Sequence, residues 1–242
     1  MTDFFKNLLA YPAALAFVLK NGLTKYFLIS GFISLAIGAL AFGGIYAFSD
    51  DLGGLLVGLY PFDWGQAVVA KAANIIMGTL LSVIALVAYK YLLLIFIGPF
   101  MGPLAEEIEE IETGRAPLKQ GLGQMGYAMI RGIRLASRNI FKELLYTLLI
   151  VIAGLIPLLS PFSAVGVFAI QAYYVGFANV DYHLEKRNTI RQSVSYGKSN
   201  KWALIGNGTG FLLLLFIPII GLLMAPVLGT VVATRDAISK GY

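Results

Sequence analysis

Charged residues divide the sequence into long uncharged stretches. The first uncharged stretch runs from Tyr26 to Ser49, and the second from Ala72 to Tyr89. A helix needs about 20 mostly apolar residues to cross the hydrocarbon core of a bilayer. The pattern therefore predicts two long transmembrane helices, a first span over residues 25–49 and a second over residues 65–97.

Two later uncharged stretches, Leu144–Val180 and Trp202–Thr234, are each too long for one span and barely long enough for two. Each has a break near its middle, at Ile156-Pro157 and at Ile217-Pro218. Proline lacks the backbone donor that a helix interior requires. These stretches therefore predict two proline-broken helical hairpins, over residues 144–180 and 202–234, that partly penetrate the bilayer.

The remaining segments are amphipathic. Residues 1–22 predict an interfacial helix that leads into the first span, and residues 98–142 predict a cytoplasmic helical segment. We therefore expect an all-α integral membrane protein with a single membrane domain over residues 1–242.

Composition excludes several functional classes. Hydrophobic residues make up 58% of the chain and charged residues 13%, against about 25% charged residues in ordinary soluble domains. The chain has no cysteine and one histidine, His183, which leaves little for thiolate, zinc or triad chemistry. We therefore predict no enzymatic activity, no metal and no cofactor. The net charge of the chain is +5. Because the basic residues lie beside apolar runs, they indicate contact with lipid headgroups rather than with nucleic acid.

The distribution of charge predicts an orientation. The loop at residues 49–71 holds three aspartates and one lysine, whereas residues 90–142 and 181–201 are rich in lysine and arginine. Basic segments stay on the cytoplasmic side of a membrane. Both termini and both basic segments are therefore expected in the cytoplasm, and the acidic loop outside.

The turn before the first span is a candidate anion site. Gly22 is a natural helix C-cap, because it accepts the left-handed conformation. Leu23 follows, Thr24 can cap the next helix, and Lys25 adds a cation beside backbone N–H groups that can hold an anion. The alternative is an ordinary turn with a lysine that extends to the interface.

The acidic run Pro103–Glu110 is the densest charged feature. Carboxylates in the first turn of a helix complement its dipole, so a solvated helix start is one interpretation. The other is a pore mouth, at which Glu106 and Glu107 pair with arginines.

Basic residues also recur where the hairpins begin. Arg131, Arg134 and Arg138 are spaced three and four apart, followed by Lys142, which places them along one helix face. They are interpreted either as contacts to inner-leaflet headgroups or as an electropositive vestibule that concentrates anions. Arg187 and Arg191 precede the second hairpin in the same manner, and Asp181 marks the end of the first.

The run from Ile97 to Glu109 (I-G-P-F-M-G-P-L-A-E-E-I-E) resembles the A-P-F-x-x-x-L-A-E-x-x-E signature of the CysZ sulfate permease family. That family includes the eukaryotic etoposide-induced membrane proteins. Two further stretches are similar to it, from Ile156 to Tyr182 with its closing D-Y pair, and from Ile217 to Asp236 with its I-P and P-V elements.

The resemblance implies two long membrane helices and two partly penetrating hairpins, assembled into homo-oligomers in the bacterial inner membrane. It also implies sulfate uptake for cysteine synthesis, with an anion site at a G-x-R-R turn. The corresponding residues here are Gly22, Leu23, Thr24 and Lys25, so a threonine and a lysine stand where the family has arginines. Lysine is a point charge, whereas arginine offers an oxyanion a planar fork.

Two functions are therefore compared below. The first is a multi-pass permease or channel for sulfate or a related anion, without an ATP motif of its own. The alternative is a non-transporting membrane protein that organises lipids or partner proteins.

Overall fold

The computed structural model describes residues 2–58, 92–93, 96–116, 122–217 and 219–242. The regular secondary structure within these ranges is entirely α-helical, which confirms the all-α prediction. The helices are α1 (Thr2–Leu8), α2 (Tyr11–Lys20), α3 (Lys25–Gly58), α4 (residues 96–113), α5 (Leu122–Gly154), α6 (Ser160–Leu184), α7 (Ile190–Ser199), α8 (Lys201–Leu215) and α9 (Ile220–Ser239).

The helices belong to two compact units. One unit contains residues 1–32 and 94–242, and the other contains residues 33–93. Helix α3 begins in the first unit and continues into the second. The predicted second span, residues 65–97, falls almost wholly outside the described residues. All contacts discussed below lie within the first unit.

Two described helices, α6 and α9, are long and apolar enough to cross a membrane. They are the second helices of the two predicted hairpins. Helix α2 and the part of α3 up to Leu40 pass the same test as a pair, bent by 116°, and make a third span if they count as one. The predicted first span, residues 25–49, lies inside α3.

Each predicted hairpin break separates two helices in the structure. Helix α5 ends at Gly154 and α6 begins at Ser160, so Ile156 and Pro157 lie between them, and Pro161 occupies the first turn of α6, where its missing N–H costs nothing. Helix α8 likewise ends before Ile217, and α9 begins after it.

Two predicted segments have different helical boundaries in the structure. The boundary predicted at residue 142, between the cytoplasmic segment and the first hairpin, lies inside α5, which is continuous from Leu122 to Gly154. Charges such as Lys142 mark a change of environment without interrupting backbone hydrogen bonds. The predicted interfacial helix over residues 1–22 is two helices, α1 and α2, separated by a turn.

Helices α6, α8 and α9 pack closely around the buried side chains of Phe177, Phe211 and Val227. Two glycines allow the approach of α6 to α8. A Cβ atom on Gly208 would lie 1.7 Å from the carbonyl oxygen of Ala172, and one on Gly176 would lie 2.0 Å from that of Leu204. Small residues at helix contacts are the usual basis of packing within membranes.

The tip of the first hairpin is apolar and exposed. Leu155, Leu158 and Phe162 have 78%, 80% and 71% of their surface accessible. Contiguous exposed apolar surface indicates contact with lipid or with another protein. The buried residues of α6 lie at the other end of the helix, between Ala172 and Leu184, which is the base of this hairpin.

Candidate functional site

The predicted anion turn and the predicted acidic run meet in the structure. Lys25 Nζ lies 2.7 Å from Oε1 of Glu107, and the hydroxyl group of Tyr26 donates to the same oxygen at 2.9 Å. Lys25 is 57% exposed and Glu107 32% exposed. An exposed ion pair of this kind contributes about 0–1 kcal/mol, so Lys25 can exchange one partner for another at little cost.

The backbone around Lys25 has the conformation expected from its sequence. Gly22 has a φ of 70°, a left-handed value that glycine adopts without strain, and the N–H of Leu23 closes α2 on the carbonyl oxygen of Val18 at 3.0 Å. The N–H groups of Tyr26 and Phe27 are bonded inside the next turn, to Leu23 and Thr24 respectively. These two donors of the α3 start are therefore already engaged.

Other carboxylates of α4 pair with bases from different parts of the chain. Glu106 forms an ion pair with Lys186, which follows α6. Glu112 accepts from Nε of Arg235 on α9 at 2.6 Å. The arginine also lies over the ring of Phe17, 4.8 Å from its centroid. Several helices thus contact the carboxylates of α4, whereas Glu110 is exposed.

Glu109 is the most surrounded of these carboxylates. It pairs with Arg187, and its oxygens lie 3.7 Å from Nη1 of Arg115 and 3.8 Å from Nδ1 of His183. Nε2 of His183 is 3.1 Å from the carbonyl oxygen of Tyr242, which makes Nε2 the protonated nitrogen. These groups border a cavity of about 10 Å³, enough for about one water molecule.

A buried ion pair joins α5 to α6. Arg131, 4% exposed, donates to both oxygens of Asp181 at 2.7 and 3.0 Å, and to the hydroxyl group of Ser193 on α7 at 2.8 Å. Glu185 lies 4.0 Å from the same guanidinium. Burial and the neighbouring Asp181 carboxylate raise the pKa of Glu185 to about 7, although Arg131 and Lys186 oppose the shift.

The arginines predicted to form one vestibule are distributed over different environments. Arg131 and Arg187 pair with buried carboxylates, as described above. Arg134 and Arg191 are exposed and form no ion pair with the described residues. Arg138 is half-buried and donates to the side-chain oxygen of Asn139 at 2.9 Å. Neighbouring helices thus separate residues that share one helix face.

An asparagine network lies in the core and includes Asn207, which was not among the predicted site residues. Asn179 donates to the side-chain oxygen of Asn207 at 2.8 Å, and Asn207 donates to the carbonyl oxygen of Gly229 at 2.9 Å. The hydroxyl group of Tyr11 donates to the backbone oxygen of Asn207 at 2.6 Å. The available signal was an isolated amide within an apolar stretch, which is costly in a membrane unless it finds a partner.

In the described part of the chain, no three histidine, aspartate or glutamate side chains are grouped so that they could hold a metal ion. A search of curated protein sequences gives no significant match. A family model described as sulfate transporter CysZ/etoposide-induced protein 2.4 matches residues 10–226. This match spans the Gly22 turn, the acidic run and most of both hairpins. The chain therefore belongs to the sulfate transporter CysZ/etoposide-induced protein 2.4 family.

Proposed function

We propose that this protein is a permease that lets sulfate or a related anion cross the bacterial inner membrane and so supplies sulfate for cysteine synthesis. The observation that carries the proposal is the family match over residues 10–226. The sequence contains no ATP-binding motif, so the proposed energy source is a gradient or a partner protein. The proposal assigns no enzymatic step to the residues described above.

Lys25 is the proposed first contact for the anion. Its present partner, Glu107, is an internal anion held 2.7 Å away. An oxyanion offers the same kind of acceptor as a carboxylate, so it can replace Glu107 at the lysine. The turn Gly22–Thr24 positions the lysine, and we propose that Glu107 competes with the transported ion.

The ion pairs further inside are the proposed path. Glu106, Arg131 and Arg187 each take part in a charge pair near the junction of α4 and the end of α6. A basic side chain that can return to its carboxylate partner binds a passing anion only weakly. Conduction requires such weak binding, because the ion must also leave. Arg134 and Arg191 are exposed and form no ion pair with the described residues, so they are not proposed as part of this path.

The proposal also includes an assembly and an orientation in the membrane. We propose a homo-oligomer with both termini in the cytoplasm, embedded among membrane lipids. The exposed apolar hairpin tip supports an apolar environment on that side, and the excess of basic residues in segments 90–142 and 181–201 supports their cytoplasmic location.

The test is uptake of radiolabelled sulfate by liposomes that contain the purified protein. We expect flux above that of empty vesicles. Lys25→Ala should reduce flux at low sulfate concentration about fivefold, since a surface ion contact contributes about 1 kcal/mol. Glu107→Gln should increase it, because the competitor is removed. Lys20→Ala, an exposed lysine on α2, is the matched control.

Uptake no greater than that of empty vesicles would contradict the permease. Unchanged uptake in Lys25→Ala together with a response in Lys20→Ala would contradict the proposed role of Lys25. Membranes without sulfate uptake and without current would instead favour the alternative function, a protein that organises lipids or partners.

A further inference from the structure

We propose that a cavity between α5, α6 and α7 binds the phosphate headgroup of an anionic membrane phospholipid, with an acyl chain in the apolar groove beside it. The cavity has a volume of about 210 Å³. Three bases border it, Arg138 and Lys142 from α5 and Lys198 from the last turn of α7. It is separate from the ion pairs of α4 proposed above for transport.

The bases of this cavity differ from Arg131, Lys186 and Arg187 in having no acidic partner among the described residues. Arg138, Lys142 and Lys198 form no ion pair with a carboxylate in the described ranges, and the one side-chain bond of Arg138 goes to Asn139. Glu143, the residue after Lys142 on α5, is close enough to act electrostatically on Tyr174. Among the described residues, the cavity itself is lined by three bases and no carboxylate, and such a positive lining attracts an anionic ligand.

Hydroxyl groups complete the polar lining. Tyr146, Tyr173 and Tyr174 border the cavity, and their hydroxyl groups form no hydrogen bond with the described protein groups. Each is a donor that a phosphate oxygen can accept from. Bases and hydroxyl groups together are the ordinary ligands of a phosphate ester.

The apolar groove distinguishes a lipid from a free oxyanion. A second cavity, of about 370 Å³, shares the three tyrosines and Lys198 with the first. Its other lining residues are the apolar Ala169, Ile170 and Ile205 and one further base, Lys201. Sulfate or phosphate alone would leave this groove unoccupied. A phospholipid fills both parts, because its phosphate and its acyl chain are joined.

The position of the cavity along the hairpin fits the headgroup level. The uncharged end of α5, residues 144–154, is about 17 Å long at 1.5 Å per residue, less than the roughly 30 Å of a hydrocarbon core. The cavity lies at the base of this arm. Near it Trp202 is exposed, with Lys201 5.7 Å from its ring centroid, an arrangement typical of a membrane interface.

The experiment measures lipid retention by native mass spectrometry of the detergent-purified protein, titrated with phosphatidylglycerol or phosphatidylcholine. We expect preferential retention of phosphatidylglycerol. The triple substitution Arg138→Gln, Lys142→Gln, Lys198→Gln should weaken it about a hundredfold, since each base near an anionic headgroup contributes about a factor of five. The matched control removes the same charge at the exposed positions Lys20, Arg134 and Arg191, and should weaken it less than fivefold.

Two further arms separate the possible ligands. Ile170→Trp obstructs the groove and should reduce retention of the diacyl lipid, but leave binding of glycerophosphoglycerol, which has no acyl chains, unchanged. Inorganic sulfate at millimolar concentration should not displace the lipid. Equal retention of the two lipids, equal losses in the two triple variants, or displacement by sulfate would each overturn the proposal. Sulfate uptake by the cavity variant is measured separately, so that failure of the permease and failure of the lipid site are distinguishable.

Discussion

Replacement of Arg131 by methionine should destabilise the protein strongly. The guanidinium is 4% exposed, donates twice to Asp181 and once to Ser193, and has Glu185 at 4.0 Å. Methionine has a similar volume but no charge, so two carboxylates would lose their nearest cation in a buried position. Removal of one partner of a buried ion pair costs about 3–5 kcal/mol, and we expect a loss in this range.

A double-mutant cycle distinguishes the value of the pair from the cost of an unpaired charge. Asp181→Leu alone leaves Arg131 with Ser193 and the more distant Glu185, and should cost a similar amount. The double variant Arg131→Met, Asp181→Leu removes both charges and should be much less destabilised than the sum of the single changes. The assay is unfolding in mixed micelles titrated with sodium dodecyl sulfate, followed by tryptophan fluorescence.

The control for this cycle is Arg134→Met, on the same helix but exposed. Its change in unfolding free energy should stay within about 0.5 kcal/mol, as for surface substitutions in general. If Arg131→Met changed stability no more than Arg134→Met, the pair would not be buried and dry as described. Additive single changes in the cycle would likewise refute the coupling.

Two further predictions concern stability. The pKa of Glu185 is raised from an ordinary 4.5 to about 7, so the folded state binds its proton more tightly than the unfolded state. The stabilisation that the bound proton provides is complete below pH 4.5 and is lost as the pH rises through 7. Between these values, the unfolding free energy of the protein should fall by up to about 3 kcal/mol, and Glu185→Gln should remove this pH dependence. The measurement is unfolding in micelles at each pH. Thr189 and Gln192 form a capping box at the start of α7, and Thr189→Ala should cost about 1 kcal/mol in the same assay, with exposed Ser195→Ala as control. A pH profile unchanged in Glu185→Gln, or equal effects of the two alanine substitutions, would contradict these expectations.

The hairpin breaks were predictable because their cause is local. Pro157 and Pro218 remove a helical donor wherever they occur, so the interruption can be recognised without knowledge of the neighbours. The left-handed φ of Gly22 is predictable for the same reason. The boundary predicted at residue 142, between a cytoplasmic segment and the first hairpin, lies inside α5, since a change from charged to apolar residues reports the environment and not the course of the backbone.

The partners of the charged residues could not be derived from spacing. Arg131 and Asp181 are 50 positions apart in the sequence, and Lys25 and Glu107 are 82 apart. The sequence pattern predicts that each of these residues lies on a helix, but it does not predict which residues of two neighbouring helices face each other. The close approach of α6 to α8 likewise depends on which residues face each other, because Gly176 and Gly208 lie against the backbone of the neighbouring helix.

The spacing of bases on α5 illustrates the same limit within one helix. At about 100° per residue, Arg131 and Lys142 point in nearly the same direction, yet the first is buried and the second is half-exposed at the cavity. The difference lies in depth along the helix, because α6 and α7 cover the level of Arg131 with Asp181 and Ser193.

The two groups of bases should therefore differ in how they hold an anion. At Lys25 an incoming ion must displace Glu107, and the carboxylate then competes for the lysine again, which favours rapid release. At Arg138, Lys142 and Lys198 no described carboxylate forms a competing pair, and the tyrosine hydroxyl groups add donors. Weak, replaceable binding suits a transported ion, whereas uncompensated charge beside an apolar groove suits a ligand that remains bound. One chain can thus pass a small anion and retain an anionic lipid without one site serving both.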